Sequence, residues 1–238
     1  MKIDRKSHPV ARDVRKKGQQ KKAHYSSAGR AHLMQMESRL ETSGAIAMGL
    51  DPRVLSIRSQ PMTFDLLTGR AYPSVAALQD AQKLYGFRCV KYTPDFEADL
   101  GRSKVLVEVK HRALINQNPK VLEYPSILAR YGYRLIVLDD HILEDTYVRN
   151  LRLLNNARSV RPRPRTATAD KVAACGNTAS YGDLLSAGVD EGDLLTALAL
   201  GHLTFDIRSA RLNYDTVISA EGDTAAHLKE LPLVSIRH

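Results

Sequence analysis

Tyr92-Thr93-Pro94-Asp95-Phe96 and Val107-Glu108-Val109-Lys110 are the two pieces of sequence on which the reading of this chain turns. Val105, Val107 and Val109 alternate with Leu106, Glu108 and Lys110, a period of two that marks a strand. Side chains two apart on a strand share a face, so Glu108 and Lys110 point the same way. Tyr92 to Leu100 is a second extended segment, and Leu100-Gly101-Arg102-Ser103 joins the two. Glycine at the first central position suits a type II′ hairpin turn, and that register sets Asp95 across from Glu108. Opposed side chains have Cβ atoms roughly 4.5–5.5 Å apart, and two carboxylates that close repel unless a cation lies between them. Converging oxygens suit Mg²⁺, which binds them at about 2.0–2.1 Å. The pattern predicts a hard-metal site with Lys110 beside it. The blander alternative is a solvated hairpin carrying ordinary surface charges.

Pro94-Asp95 … Glu108-Val109-Lys110 resembles the core motif of the PD-(D/E)xK nucleases. In their fuller forms the two segments resemble the TnsA-type endonuclease subunit of heteromeric cut-and-paste transposons, over roughly residues 30–155. The resemblance implies an α/β, restriction-endonuclease-like mixed sheet flanked by helices. Asp95 and Glu108, with the carbonyl of Val109, would bind Mg²⁺, for which Mn²⁺ would substitute. Lys110 would position or polarise the attacking water, and the cut would leave a 5′-phosphate and a 3′-hydroxyl. The family's N-terminal helix carries an acidic residue in a Ser-x-Leu-Glu setting, followed by a hydrophobic strand and Gln-Pro. Here that order reads Ser38-Arg39-Leu40-Glu41, Asp51-Pro52-Arg53-Val54 and Gln60-Pro61, which favours Glu41 as a further metal ligand and leaves Glu37 as a second candidate. The implied partners are double-stranded DNA at transposon ends, a DDE transposase that cuts and joins the 3′ ends, and an AAA+ ATPase regulator. Two other readings stay open: a restriction, repair or phage nuclease of the same fold, and a non-catalytic DNA-binding assembly protein. Intact Asp95, Glu108 and Lys110 argue against the last.

The chain has 238 residues and a net charge of +9, carried unevenly. Residues 1–32 hold ten Lys and Arg against Asp4 and Asp13, whereas residues 178–231 hold nine acids against Arg208, Arg211 and Lys229. The basic front, with Lys16, Lys17, Lys21, Lys22 and Arg30, reads as an arm over 1–29 that meets DNA phosphates by counterion release, or as a solubilising tail. His111 and Arg112, following Lys110, extend that expected DNA contact. No apolar run is long enough for a membrane span, and the N-terminus lacks the apolar core of a secretory signal. Cys89 and Cys175 make neither a disulfide framework nor a zinc cluster, so a cytoplasmic, nucleoid-associated protein is expected. With no GxxxxGK[ST] loop, ATP hydrolysis by this chain is not expected.

Along the chain, spacing predicts a helix from Arg30 to Gly49 capped by Ser27, with Glu37 and Glu41 on one face. A strand over Val54 to Phe64 breaks near Gln60-Pro61. An inserted helix over Ser74 to Tyr85 stops at Gly86, as a DNA flap, a partner surface or an inert excursion. A helix over Asn116 to Arg130 should split at Pro125, before a strand at Tyr133 to Leu138 and a helix from His141 to Asn155. Residues 156–177, with Arg161-Pro162-Arg163-Pro164-Arg165, read as a linker between a nuclease domain (30–155) and a C-terminal docking domain (178–238). The latter shows a winged-helix order: helices over 178–187 and 190–200, then strands over 201–207 and 212–219. Its second helix opens on Asp190, Glu191 and Asp193 and lacks basic residues, the wrong sign for a recognition helix.

Overall fold

The computed structural model describes residues 24–26, 34–160 and 168–233. β1 (His24–Ser26) pairs antiparallel with β2 (Met34–Met36). Then come α1 (Arg39–Leu50), β3 (Ser56–Ser59), β4 (Thr63–Asp65), β5 (Ala71–Tyr72) and α2 (Val75–Tyr85). β6 (Lys91–Tyr92), β7 (Phe96–Asp99) and β8 (Lys104–Val109) follow. The chain continues as α3 (Arg112–Gln117), a 3-10 turn over Pro119–Leu122, α4 (Tyr124–Ala129), β9 (Leu135–Leu138) and α5 (Asp145–Val160). It closes with α6 (Thr168–Ala174), β10 (Thr178–Ser180), α7 (Tyr181–Ser186), α8 (Glu191–Ala199) and β11 (Val217–Ser219).

The main sheet runs β3-β7-β8-β9, with β8 antiparallel to β7 and parallel to β9. The β7–β8 register, Phe96↔Val107 to Asp99↔Lys104, is the one the sequence predicts. Gly101 takes φ +81 in the turn, which an L side chain would resist. β8 is buried on both faces. Val105, Val107 and Val109 pack on one side with Met48 of α1 and Leu151 and Leu154 of α5. Leu106 packs on the other with Phe64, Tyr92, Leu128 and Leu135. Each such apolar side chain contributes about 1.5–3 kcal/mol on burial. Gly44 lets α1 approach β8 closely, since a Cβ there would lie 3.1 Å from Val109 Cγ2. The architecture is thus mixed α/β, a mixed sheet flanked by helices.

Several expected boundaries move. The helix expected from Arg30 starts at Arg39, and Met34–Met36 is strand; the expected cap, Ser27, lies outside the described residues. Ser38 is the cap: its Oγ accepts from Glu41 N at 3.1 Å, while the Glu41 carboxylate accepts from Glu37 N at 2.7 Å. This resembles a capping box, with the reciprocal bond going to the N–H one residue before the cap. Glu37 therefore precedes the helix and does not share a face with Glu41. The continuous segment expected over Tyr92 to Leu100 is also two strands. Pro94, which has no N–H to donate, separates β6, in a small β5-β4-β6 sheet, from β7 in the main sheet. The inserted helix appears where expected, capped by Ser74 and ended by Gly86 at φ +66. The helix expected over Asn116 to Arg130 begins earlier, at Arg112, and breaks twice, with Pro119 and Pro125 each in the first turn of a new segment.

The C-terminal part departs further. The expected linker is largely helical: α5 runs on to Val160 and α6 occupies Thr168–Ala174, with Val172 fully buried. The Arg-Pro stretch lies outside the described residues. Of the two expected strands, Val217–Ser219 forms, pairing with β10 and bridging Thr204. Thr178–Ser180, expected to open a helix, is that β10 partner. α8 packs on α5, burying Leu194, Leu195 and Leu198 in the core that also holds Val107. Among the described residues, these α8 side chains and those of β8 belong to one core.

Polar ties reinforce this junction. Arg53 reaches Lys229 O and Leu231 O at 2.8 Å each while paired with Asp51. Arg208 pairs with Glu144 and Glu230 and lies 4.3 Å from the Tyr147 ring centroid. Buried Asn150 donates to Ile207 O and Ala210 O and accepts from Leu212 N. Alanine there would strand three backbone groups, so Asn150→Ala should cost about 3 kcal/mol in a denaturant titration.

His227 predicts an acid response in the same region. It is buried against Leu198 O (3.0 Å) and Thr204 Oγ1 (3.2 Å), and burial pushes its imidazole down to about 4. The unfolded chain takes up the proton near pH 6.5, so the native state loses ground as pH falls from there toward 4. The loss is about 3 kcal/mol at its full extent. Urea titrations at pH 7 and pH 4.5 should show it, with a shallower decline in His227→Phe.

Candidate active site

The site forms where the β7–β8 hairpin opens. Pro94 ends the small sheet's path, Asp95 enters the main sheet, and Glu108 stands one pair beyond the Phe96↔Val107 register. Thr93 Oγ1 and Thr63 Oγ1 share a hydrogen bond of 2.8 Å, pinning the approach to Asp95. Asp95 Oδ2 accepts from Val109 N at 2.8 Å, so the Val109 main chain lies against this carboxylate. Glu108 and Glu41 are each 8 % exposed.

Electrostatics ties these groups together. Burial drives the Asp95 carboxyl well above its usual range, and the Glu108 and Glu41 charges push it the same way. The Val109 N–H and the Lys110 ammonium pull it back. Glu108, Glu41 and Lys110 are therefore each within electrostatic reach of Asp95. The structure brings Asp95 and Glu108 into one hairpin and leaves Glu41 at the N-terminus of α1, with one oxygen committed to Glu37 N. Among the described residues, no three His, Cys, Asp or Glu side chains converge as a ready-made ligand set. The donors nevertheless suit a hard divalent cation: two carboxylates that repel each other and a third within electrostatic reach of Asp95.

Sequence reasoning quoted two residues here without giving them a role. Tyr92 donates its hydroxyl to Glu108 Oε2 at 2.9 Å. Burial first, then the Glu108 charge, raises the Tyr92 pKa, so it keeps its proton. Gln60 is 3 % exposed and has φ +44, a left-handed conformation uncommon outside glycine. Its N–H donates to Asp95 O at 2.7 Å, its Nε2 to Glu37 Oε1 at 3.4 Å, and its Oε1 has no hydrogen-bond partner. Strain of this kind and an orphaned acceptor cluster at working sites. The signal in the sequence was Gln60-Pro61, read there only as a strand break and a point of resemblance.

The expected DNA contacts are placed unevenly. Lys16, Lys17, Lys21, Lys22 and Arg30 lie outside the described residues. His111 caps α3 through Nδ1 and lies 3.4 Å from Asp140, and Arg112 lies 4.0 Å from Asp139. Asp139 partly offsets the Arg112 charge, and the His111 and Arg112 side chains stay more than half exposed. Lys110 is half-buried beside Asp95. Among the described residues no helix is long and apolar enough to cross a membrane. Compared with known proteins, the chain matches no family model and no curated sequence.

Proposed function

We propose that this chain is a Mg²⁺-dependent DNA endonuclease of the PD-(D/E)xK type, cutting the 5′ ends of a transposon as a TnsA-like subunit. The observation that carries the reading is the buried Asp95–Glu108 pair, in which burial first and then the Glu108 charge raise Asp95, with Lys110 alongside. Such a pair is costly for folding alone and useful for holding a cation. Asp95 and Glu108 would hold the ion, with Glu41 and the Val109 carbonyl as the further oxygens. The ion would supply a water of lowered pKa and positive charge for the scissile phosphate. Lys110 would orient that water and offset charge on the phosphate oxygens, a task suited to a compact ammonium with three donors. Tyr92 and Val109 N–H would keep Glu108 and Asp95 in place.

The C-terminal part supports a docking role within this reading. Its order, α6, β10, α7, α8, β11 with the Thr204 bridge, is compatible with a winged-helix-like unit. Asp193 to Ala199 of α8 is buried, so that helix has no face to lay in a groove. A DDE transposase and an AAA+ ATPase regulator are the partners this reading calls for.

The test is cleavage of end-labelled transposon-end duplex with the neighbouring transposase and Mg²⁺. Nicks with 5′-phosphate at the element's 5′ ends are expected. Equal cutting of unrelated duplex would move the enzyme to a restriction or repair setting. No cutting of any duplex, with DNA still bound, would leave an assembly protein.

A further inference from the structure

The small β5-β4-β6 sheet ends at the site. β6 is held by Phe64↔Tyr92 and Asp65↔Lys91 pairing with β4. Its last residue, Tyr92, is 7 % exposed, and its ring packs 4.6 Å from that of Tyr124. The neighbouring Thr93 is tied to Thr63 at 2.8 Å. The Tyr92 hydroxyl is thereby fixed from strand, ring and neighbour, and it donates to Glu108 Oε2 at 2.9 Å. Glutamate is a flexible side chain with a broad terminal torsion, and a fixed donor on one oxygen selects one orientation of the carboxylate.

We infer that Tyr92 is a positioning residue, which holds the Glu108 carboxylate in the orientation that meets a divalent cation together with Asp95. The β4–β6 pairing is then part of the support of the metal site, because β6 delivers the hydroxyl. The inference rests on the nuclease reading above. Partners that orient a ligating carboxylate typically cost 10–100-fold in metal affinity when removed.

Tyr92→Phe tests this directly, since it deletes the hydroxyl and keeps the ring against Tyr124. Mg²⁺ is titrated calorimetrically into wild type and Tyr92→Phe. Thermal unfolding is compared for metal-free wild type, Tyr92→Phe, Glu108→Gln and the double variant. The expected result is Mg²⁺ binding weakened by about 10–100-fold in Tyr92→Phe, with cutting recovered at high Mg²⁺ and the KM for DNA little changed. The unfolding effects of the two substitutions should be non-additive, as for residues in contact. An unchanged Mg²⁺ affinity in Tyr92→Phe overturns the inference, whatever its thermal midpoint. If wild type binds no Mg²⁺, the nuclease reading itself fails. The unfolding cycle then decides the remainder: additivity removes the Tyr92–Glu108 hold as well, and non-additivity keeps it.

Discussion

Asp95→Ala is expected to abolish Mg²⁺-dependent strand cutting, with a loss of about 10³-fold or more. A metal contributes several kcal/mol of charge stabilisation at a phosphoryl group, and each 1.36 kcal/mol is tenfold in rate, so losing the ligand loses most of that. The surroundings of Asp95 also disfavour its ionised form. Its carboxyl is raised by burial, Glu108 and Glu41, so the native state holds that proton more tightly than the unfolded chain. Without a cation, stability therefore falls as pH rises from about 4 through the raised value. Asp95→Asn removes that decline while destroying the site. It should raise the thermal midpoint of the metal-free protein at neutral pH, each kcal/mol amounting to roughly 2–4 °C in a chain of this size. A substitution that inactivates and stabilises together identifies a residue kept for chemistry. If Asp95→Asn instead lowers the midpoint, the carboxylate is a structural group held by Val109 N–H.

Lys110→Ala should separate binding from chemistry. The ammonium eases the ionisation of Asp95, but the cation ligands are carboxylates, so Mg²⁺ binding should survive. Cutting should fall by about 10²–10⁴-fold, the usual contribution of a positioned group in proton transfer. Lys110→Arg should not restore it, because a guanidinium carries its charge on a larger, planar group. Single-turnover cutting at saturating Mg²⁺ measures this. Restoration by arginine would reduce Lys110 to a phosphate-binding charge.

The hairpin was legible because alternation fixes which faces Glu108 and Lys110 occupy, and a glycine turn fixes the register. With Phe96↔Val107 established, Asp95 and Glu108 have little freedom to be elsewhere. The helix start was less legible. Leu33, Met36 and Leu40 share a helical spacing, yet Met34–Met36 pairs as strand and Ser38 wins the cap. Local spacing did not register that Ser38 caps the helix while Glu41 folds back onto Glu37 N, which diverts a Glu41 oxygen from the pair.

Long-range ties were invisible for a different reason. Nothing near Asn150 in the chain announces that it will bond Ile207, Ala210 and Leu212. Nor does Thr178–Ser180 look like a strand until β11 lies beside it. Tyr92 stood in the quoted motif, but its role appeared only when β6 left the hairpin for the small sheet and turned the hydroxyl onto Glu108. Such contacts depend on tertiary placement, which period and propensity do not encode.

The central claim is that Asp95 and Glu108 hold a divalent cation, and calorimetric titration of Mg²⁺ into wild type and Asp95→Ala tests it most directly, with no dependence on partner proteins. Saturable binding in wild type that disappears in Asp95→Ala is the predicted result. Equal Mg²⁺ binding by the two proteins, or none by wild type, would contradict the account.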